Sequence, residues 1–429
     1  MNLGNICDIL QKVGHSIKVS TVFISNKTNE EDEMKKLVKN NVYWIGKMDW
    51  ELESFHGADY SINHGSSQNA YLIQEEKMVL IDTVWKPHST EFVTNLESEI
   101  DLAKIDFIVA NHGEVDHSGS LPALMEKIPD TPIYCTANAV KSLTGQYHHP
   151  EWNYQVVKTG DSIDIGNGKK LIFVEMKMLH WPDSMATYLT EDNILFSNDA
   201  FGQHYAVEEL FNDKADQCKL WEEAIKYYAN ILNPFSPLVK KKVEEIVALN
   251  LPIDIIAPSH GSIWRDNPLQ IVNKYYEWSQ GYQEDQVTIA YDTMWDGTKQ
   301  LAHKIASEIS EISPDTRVKI YNISHTNKND IMTEVFKSKA IAVGSPTVGQ
   351  SILSSVGGWI DFLKELKFKD KKAAVFGCYG WSGESTKVLR EKLTDAGFQV
   401  VEPEIKCNWN PEDADFNKAE QIAKALIDN

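Results

Sequence analysis

Short apolar runs separated by polar turns make up the chain from about residue 41 to residue 260. The runs NVYWIGK, NAYLIQEE and MVLIDTV predict successive strands of an antiparallel or mixed sheet. Further strands are predicted at IDFIVAN (105–111), PIYCTA (132–137), KLIFVEMKM (170–178), NILFSND (193–199) and IDIIAPSH (253–260). Helices are predicted around residues 121–128, 216–232 and 269–282. This rhythm predicts two sheets packed face to face with helices outside them.

The pattern changes after about residue 286 to a strict alternation of strand and helix. Strands are predicted at QVTIAYD, VKIYNI, AIAVGSP, AAVFGCYG and FQVVEPEI, with helix-length segments between them. This pattern is typical of a five-stranded parallel sheet, doubly wound with helices on both faces. We therefore expect an α/β chain with an N-terminal extension (1–36), a sandwich domain (37–285) and a parallel-sheet domain (286–429).

Composition and charge narrow the class of protein. The 429 residues are 42% hydrophobic and 24% charged, which is an ordinary globular mix. No run approaches the roughly 18–20 apolar residues of a membrane span. The net charge of -20 argues against nucleic acid and anionic membrane surfaces as partners. The five cysteines contain no C-x-x-C pair, so we expect no disulfide framework, no internal rubredoxin-like site and a reducing, cytoplasmic location.

Four side chains that can bind metals lie within the segment NHGEVDHSG (111–119), directly after a predicted strand. They are His112, Glu114, Asp116 and His117. In an extended chain His112 and Glu114 project to the same side, whereas the adjacent Asp116 and His117 point in different directions. One short segment can contribute to two metals but cannot saturate both. Matching ligands are therefore needed elsewhere in the chain.

Three more candidate ligands, His180, Asp199 and His260, each follow a predicted strand. Loops at one sheet edge gather into a common cleft, so we expect these side chains to join the first four. A single polar residue at a strand end is more often a capping group, but their joint occurrence favours a site. Seven ligands suffice for two metals if one carboxylate bridges them. Imidazoles and carboxylates without cysteine favour iron or manganese, and a hydrolytic dizinc site remains open.

Three loops of the parallel-sheet domain are predicted at the carboxyl ends of strands: TMWDGT (293–298), SPTVGQS (345–351) and GCYGWSG (377–383). Ligands of doubly wound sheets bind at this edge. The first loop carries hydroxyls and opens a helix, which favours a phosphate. It lacks G-x-G-x-x-G and G-x-x-x-x-G-K, so the single phosphate of FMN fits better than a dinucleotide or triphosphate. Trp295, Tyr379 and Trp381 suit a planar ring, although both tryptophans could equally pack in a core.

The ligand motif and these loops resemble those of flavodiiron proteins, or A-type flavoproteins. H-x-E-x-D-H is followed by 62 residues before His180, 18 before Asp199 and 60 before His260, a spacing similar to that family's diiron motif. The resemblance covers about residues 38–425 and includes HWPDS (180–184) and NDAFGQHY (198–205). It implies a metallo-β-lactamase-like αββα sandwich followed by a flavodoxin-like domain. Ordinary members of the lactamase-like fold have H-x-H-x-D-H and zinc, whereas Glu114 replaces the second histidine here.

The resemblance also implies how the ligands divide between two irons. One iron would be bound by His112, Glu114 and His180, the other by Asp116, His117 and His260, with Asp199 bridging both. His204 or Tyr205 would orient ligands or donate a proton, and a buried, hydrogen-bonded tyrosine is the alternative for Tyr205. His56, in the segment FHG, would line the site.

By the same resemblance, FMN would contact all three loops. The implied residues are Thr293, Met294, Trp295, Asp296, Gly297 and Thr298 at the phosphate, and Pro346, Thr347, Val348, Gly349, Cys378, Tyr379, Gly380, Trp381, Ser382 and Gly383 around the ring. The family often has asparagines after S-P-T, where this chain has Val348, Gly349 and Gln350. This departure puts a side-chain amide contact to the flavin in question, but not the loop itself.

The family reduces O2 to water, NO to N2O, or both, with electrons that pass from FMN to the irons. The resemblance therefore implies an oxidoreductase with FMN and two irons per chain. It also implies a head-to-tail homodimer, or a dimer of dimers, that brings the FMN of one subunit to the irons of another. We expect no fused rubredoxin domain after Asn429, and hence a separate donor such as rubredoxin or a related reductase. The residues leave the preference between O2 and NO open.

Two other classes of function compete with this hypothesis. One is a dizinc hydrolase of the lactamase type with an accessory flavodoxin module. Glu114 and the flavin loops argue against it. The other is an electron carrier whose metal domain is vestigial, and the complete set of seven ligands argues against that.

Overall fold

The N-terminal half of the chain forms mostly short strands, as its apolar runs predict. This computed structural model describes residues 35–428, so the extension predicted at residues 1–36 lies almost wholly outside the described residues. The strands are β1 (Lys36–Lys39), β2 (Val42–Trp44), β3 (Lys47–Asp49), β4 (Ser54–Phe55), β5 (Tyr60–Ser61), β6 (Ser66–Gln68), β7 (Tyr71–Gln74), β8 (Met78–Ile81), β9 (Ile105–Val109), β10 (Ile133–Cys135), β11 (Tyr154–Val156), β12 (Ser162–Gly166), β13 (Lys169–Glu175), β14 (Met185–Leu189), β15 (Ile194–Asn198) and β16 (Ile255–Pro258).

These strands build two large sheets. One has seven strands in the order β1-β2-β7-β8-β9-β10-β11, and the other has five in the order β12-β13-β14-β15-β16. The helices of this half are α1 (Ser89–Glu99), α2 (Val115–Ser118), α3 (Leu121–Met125), α4 (Ala137–Tyr147), α5 (Gln217–Tyr227), α6 (Ser236–Ala248) and α7 (Leu269–Trp278). Strands β3 and β6 form a separate antiparallel pair, as do β4 and β5.

The alternation of side chains along β9 shows how the layers form. Phe107 and Val109 are buried in a cluster that also contains Phe173 and Phe196 of the five-stranded sheet. Ile108 points the other way, into a cluster with residues of α1, α3 and α4. Successive side chains of a strand point to opposite faces, so one apolar run fills both the space between the sheets and the helix layer outside them.

The C-terminal half forms a parallel sheet wound by helices on both faces. Its strands are β17 (Glu284–Tyr291), β18 (Arg317–Asn322), β19 (Ser338–Gly344), β20 (Lys372–Tyr379), β21 (Gln399–Val400) and β22 (Ile405–Asn408). Its helices are α8 (Gly297–Ile312), α9 (Lys328–Lys337), α10 (Ser354–Glu365), α11 (Ser385–Asp395) and α12 (Asp413–Ile427). The strand order is β18-β17-β19-β20-β21, and all pairs are parallel. Strand β17 begins just before the predicted domain boundary at residue 286.

Two of the predicted elements are divided in the structure. The predicted fifth strand is split into β21 and β22, which both pair with β20. Pro403 lies between them and has no N–H to donate to a ladder, which accounts for the interruption. The helix predicted at residues 216–232 ends as an α-helix at Tyr227 and continues as a wider π-helical turn, Tyr228–Leu232.

One hydrophobic cluster runs from the outer helices of the sandwich into one face of the parallel sheet. Phe336 of α9 lies at this junction, with ring centroids 5.7 Å from Tyr228, 5.6 Å from Tyr282 and 6.5 Å from Phe368. The two halves therefore share a core. No helix within residues 35–428 has the length and apolar character needed to cross a membrane.

Replacing Phe336 by alanine is expected to lower the free energy of unfolding by about 3–5 kcal/mol, because it leaves a cavity among rigid rings. Phe336 is 2% exposed. Urea unfolding followed by tryptophan fluorescence measures the change. Val247→Ala, at a position that is 62% exposed, is the control and should change stability by less than about 0.5 kcal/mol. A loss below about 1 kcal/mol for Phe336→Ala would contradict a shared core at this junction.

Candidate metal centre and flavin cavity

The segment after β9 is held in place by Asp82. The Asn111 backbone N–H donates to Asp82 Oδ1 at 2.7 Å, and the Asn111 amide donates to Asp82 Oδ2 at 3.0 Å. The Thr187 hydroxyl donates to the Asn111 amide oxygen at 2.7 Å, which ties the segment to the other sheet. His112 follows directly, so its position is set by hydrogen bonds from both sheets.

Four of the seven predicted ligands form a first group: His112, Glu114, His180 and Asp199. Glu114 Oε2 lies 3.3 Å from His112 Nε2 and 3.5 Å from His180 Nε2. Asp199 Oδ2 lies 3.6 Å from His112 Nε2 and 3.5 Å from His180 Nε2. These atoms surround one point at distances suited to a shared metal ion rather than to direct hydrogen bonds.

The other three predicted ligands, Asp116, His117 and His260, form a second group. Asp116 Oδ2 lies 3.1 Å from His117 Nε2 and 3.0 Å from His260 Nε2. The expectation that Asp116 and His117 point in different directions is wrong. They lie on the helical turn α2 rather than on extended chain, and the turn brings their ligand atoms together.

Asp199 faces both groups. Its Oδ2 is directed to the first group, whereas its Oδ1 lies 2.9 Å from His117 Nε2 and 3.7 Å from His260 Nε2 of the second. A carboxylate with one oxygen toward each of two ligand sets is placed as a bridge between two ions.

The donor atoms fit metal ions. His112 Nε2, His117 Nε2, Asp116 Oδ1 and Asp199 Oδ2 are buried, and none of them has a hydrogen-bond partner among the described residues. Buried polar atoms are almost always paired, because an unpaired one loses its hydration without compensation. Two metal ions, one in each ligand group, would satisfy these atoms. Imidazoles and carboxylates without thiolate form a donor set suited to iron and manganese as well as zinc.

Charged neighbours shift the pKa values of the ligand side chains in the direction opposite to the effect of burial. Burial lowers the pKa of His117, but Asp116 and Asp199 outweigh it and raise that pKa to about 9. Burial raises the pKa of Asp199, but His117 and His112 hold it well below its usual range. Without metal, the carboxylates are thus balanced by imidazolium cations. Metal ions need the neutral imidazole, so they would take over this role and release protons.

Groups next to the ligands orient them. Asp183, within the HWPDS segment but not among the predicted site residues, places Oδ1 3.1 Å from His112 Nδ1. Nδ1 of His260 donates to the Ser67 carbonyl at 2.8 Å. Such partners fix the ring and leave Nε2 for a metal. These groups contact their histidines only because the chain is folded. No fixed spacing in the sequence therefore identifies them.

The three residues predicted to lie next to the ligands, His56, His204 and Tyr205, occupy different places in the structure. His56 Nε2 lies 3.3 Å from Glu114 Oε1, at the partly exposed side of the first group. His204 is buried with its ring 4.8 Å from that of His260, and burial holds its pKa well below the usual range, so it is neutral. Tyr205 instead packs on His64, with ring centroids 5.9 Å apart. Two other tyrosines lie beside His204, Tyr60 of β5 at 5.2 Å and Tyr227 of α5 at 5.3 Å between ring centroids, and neither was predicted.

A cavity of about 450 Å³ lies at the carboxyl ends of the parallel strands. It is lined by Thr293, Met294, Trp295, Gly297, Thr298, Pro346, Thr347, Gly349, Gln350, Cys378, Tyr379, Gly380, Trp381, Ser382, Trp409 and Asn410. The hydroxyls of Thr293 and Thr298 are buried and have no hydrogen-bond partner among the described residues. They stand at the N-terminus of α8, where the helix dipole and free N–H groups favour a phosphate.

Three residues predicted for the flavin site do not line the cavity: Asp296, Val348 and Gly383. Asp296 adopts a left-handed conformation (φ 64°) and its side chain is exposed. Val348 pairs with Ser351 in a tight turn. Gly383 packs against Tyr379 and Lys406, where an added Cβ would clash.

Three residues that were not predicted do line the cavity: Gln350, Trp409 and Asn410. The Trp409 backbone N–H donates to the Tyr379 carbonyl at 2.7 Å, which holds its loop beside the third predicted loop. Trp409 follows β22, whose carboxyl end reaches the same sheet edge as the other loops. Ligands of doubly wound sheets bind beyond the carboxyl ends of the strands. This rule predicted the other loops, and it could have predicted the loop of Trp409 as well.

Comparisons with known proteins agree with this architecture. A model of the family described as "ODP family beta lactamase" matches residues 66–261, and a flavodoxin model matches residues 289–422. The anaerobic nitric oxide reductase flavorubredoxin of Citrobacter koseri is 55% identical over 379 residues, which are 88% of this chain and 78% of that protein. The chain belongs to the flavodiiron protein family. The flavorubredoxin of Aliivibrio fischeri is also 55% identical, over 87% of this chain and 75% of its own length.

Solved flavodiiron structures have the same fold. The rubredoxin oxygen:oxidoreductase of Desulfovibrio gigas superposes with a TM-score of 0.88 at 35% identity, over 92% of this chain and 98% of its own. The flavodiiron protein of Giardia intestinalis gives 0.87 at 30% identity, over 91% and 95%. The predicted family and the predicted fold class are confirmed. The domain boundaries and the individual site residues stay predictions.

Replacing Asp199 by asparagine is expected to lower the iron bound by the reconstituted protein from two ions per chain, one for each ligand group, to one or fewer. Asparagine keeps the size of the side chain but removes the negative charge and one of the two oxygen ligands. Elemental analysis measures the iron content. Glu209→Gln, which removes an exposed carboxylate outside both groups, is the control. Two irons per chain in Asp199→Asn would contradict the bridging role.

Replacing Trp381 by alanine is expected to weaken FMN binding about 3- to 10-fold, the loss typical of one aromatic contact. The Trp381 ring lines the cavity and is 89% exposed without a ligand, so its loss should leave the fold unchanged. Quenching of FMN fluorescence during titration of the flavin-free protein measures the dissociation constant. Trp50→Ala, at an exposed position of the sandwich, should bind FMN as the unmodified protein does. Equal affinity in Trp381→Ala would exclude a stacking role.

Proposed function

We propose that this chain reduces NO to N2O, and O2 to water as a second reaction, at a diiron centre supplied with electrons through FMN. The observation that carries the proposal is Asp199, whose two oxygens face two separate groups of histidines and carboxylates. The relatives at 55% identity are named nitric oxide reductases, which favours NO as the main substrate. The more distant Desulfovibrio gigas relative is named for oxygen, which supports the second reaction.

The chain provides a separate ligand set for each iron. His112, Glu114 and His180 would hold one ion, Asp116, His117 and His260 the other, and Asp199 would bridge them. When bound, the iron pair supplies the redox chemistry, and FMN supplies electrons one at a time. The position of Glu114, where zinc enzymes of this fold have histidine, adds a hard oxygen ligand and negative charge, which favour iron over zinc.

The protein groups around the centre orient ligands and exclude water. Asp183 and the Ser67 carbonyl hold the rings of His112 and His260, as described above. Trp181 packs edge-on against His112, with ring centroids 5.2 Å apart. Phe55 lies 5.7 Å from the ring of His260. These rings pack against the ligand histidines, and the first ligand group is partly exposed on the side of His56, whose side chain is 36% exposed.

The flavin cavity would hold FMN with its phosphate at the N-terminus of α8. Thr293 and Thr298 would donate to the phosphate, and Trp381 and Trp409 would flank the ring. Exposed apolar surface at a cofactor site is typical of a docking surface. We propose that the exposed apolar surface around the flavin cavity is covered by a second copy of the chain in a head-to-tail homodimer.

The electron donor that we propose is a rubredoxin-type protein, or a related reductase, separate from these 429 residues. The residues contain no C-x-x-C pair that could hold a rubredoxin iron. The Desulfovibrio gigas relative is named for rubredoxin, which supports this class of donor. The dizinc hydrolase is not favoured, because the relatives are named reductases and a cavity lies where the flavin loops were predicted.

The deciding experiment supplies reduced rubredoxin to protein loaded with FMN and iron. NO should disappear at roughly 1–10³ molecules per second per chain, and one N2O should form for every two NO. An NO electrode and gas chromatography measure the two gases. Flavin-free, iron-loaded protein is the control and should be slow. The proposal fails if neither NO nor O2 is consumed while FMN and both irons are present.

A further inference from the structure

The hairpin formed by β4 and β5 lies against the candidate metal centre, and two adjacent residues of it reach both ligand groups. His56 Nε2 lies 3.3 Å from Glu114 Oε1 of the first group. The ring of Phe55 has its centroid 5.7 Å from that of His260 in the second group. A shift of this one hairpin would therefore change the surroundings of both groups at once.

The hairpin has little of its own to fix its position. Its two strands have two residues each and form a sheet separate from both large sheets. Its buried residues Phe55, Tyr60 and Ile62 form a small cluster apart from the main hydrophobic clusters. His56 adopts a left-handed conformation (φ 52°), which is uncommon for residues other than glycine. An isolated two-stranded hairpin is at best marginally stable, so its position depends on contacts with other segments.

A side chain of the flavodoxin-like half supplies such contacts. The Ser61 backbone N–H donates to the side-chain oxygen of Asn329 in α9 at 3.0 Å, and the Asn329 amide donates to the Asp59 carbonyl at 3.1 Å. Lys328 also pairs with the Asp59 carboxylate, but that side chain is 70% exposed, and exposed ion pairs contribute little. Asn329 therefore provides the buried attachment of the hairpin to α9.

Asn329 is itself held on every side. It is 1% exposed, and its backbone N–H donates to the Asn327 side-chain oxygen at 3.0 Å, at the start of α9. Its amide donates a second hydrogen bond, at 3.1 Å, to the side-chain oxygen of Asn230, whose own amide donates to the Asn329 carbonyl at 3.2 Å. With both amide hydrogens and the amide oxygen bonded, the side chain has one orientation, and the hairpin backbone is bound to it.

We propose that Asn329 is a positioning residue for the metal centre, holding the β4–β5 hairpin so that His56 meets Glu114 and Phe55 packs on His260. The proposal deepens, and rests on, the function proposed above. Glu114 directs Oε2 to the histidines of the first group, whereas its Oε1 faces His56. A partner of this kind orients a ligand carboxylate for its ion. The flavodoxin-like half would thus shape the metal centre of its own chain, besides holding FMN.

Replacing Asn329 by alanine should loosen the hairpin, because both hydrogen bonds to its backbone are lost. The Ile62 N–H is a suitable probe, since it donates to the Glu53 carbonyl at 2.9 Å and does not touch Asn329. Its hydrogen exchange in the full chain loaded with FMN and iron should become at least about tenfold faster. Mass spectrometry of the peptide that covers residues 53–62 measures this rate. Exchange in β13 and β14 should stay unchanged.

A second readout follows the metal without turnover. Direct loss of a partner that orients a metal ligand weakens metal binding about 10- to 100-fold, and Asn329 acts one contact further away. In Asn329→Ala, a ferrous chelator should therefore remove one of the two irons at least about threefold faster, with the FMN dissociation constant unchanged. The absorbance of the iron–chelator complex measures the release, and quenching of flavin fluorescence measures FMN binding.

Two control variants change the same junction without removing the attachment. Thr333→Val removes the hydroxyl that donates to the Asn329 carbonyl at 2.8 Å, and this hydroxyl lies on α9 away from the hairpin. Asp59→Asn removes the carboxylate that pairs with Lys328 but keeps the carbonyl that accepts from Asn329. Both should exchange the Ile62 N–H and release iron within about twofold of the unmodified protein.

The outcomes decide the proposal. Unchanged exchange and iron release in Asn329→Ala would overturn it, as would equally large effects in Thr333→Val, which would show a general loosening of the junction. Should Asn329→Ala fail to fold, Asn329→Asp decides. It keeps the acceptor for the Ser61 N–H and loses the donor to Asp59, so exchange at least threefold faster supports the proposal and unchanged exchange overturns it. If the unmodified protein consumes neither gas, the proposed function fails, whereas exchange and iron release still test Asn329.

Discussion

The burial of Asp116 and Asp199 among imidazoles is the constraint on which the rest of the structure depends. Two carboxylates removed from water require positive charge close by, and they obtain it from His117 and His112 or from metal ions in their place. Positioning these groups takes loops from both sheets, because the first ligands follow β9 and Asp199 follows β15. The sandwich therefore has to form before the centre can exist. The alternation of apolar and polar residues that packs the two sheets together is therefore required for the metal centre to form.

The second consequence concerns the junction between the two halves. The parallel sheet buries one of its helical faces against the outer helices of the sandwich, so the flavin cavity and the metal centre are held by one continuous core. Polar contacts also cross this junction: Asn329 donates to the Asn230 side-chain oxygen at 3.1 Å, and Lys226 pairs with Asp330.

Much of this structure could be predicted from the sequence, for physical reasons that can be named. Strand and helix periods predicted the layers, and strand ends predicted the loops that carry the ligands, including the distant His180 and His260. What could not be predicted depends on contacts between segments far apart in the chain. Asp183 and Tyr227 reach the site only through tertiary packing, and Tyr205 turns to His64 although it is adjacent to His204. Other differences are local. The residues of α2, for example, were expected in an extended conformation but form a helical turn.

We infer that Asp199 joins two ligand groups into one dinuclear iron centre. The magnetic moment of the oxidised, iron-loaded protein tests this claim directly, because two ferric ions that share a bridge are coupled to each other. Two irons per chain are expected, with a magnetic moment that falls on cooling below that of two independent high-spin ferric ions. A moment equal to that of two independent ions at every temperature, or saturation with a single iron, would contradict it.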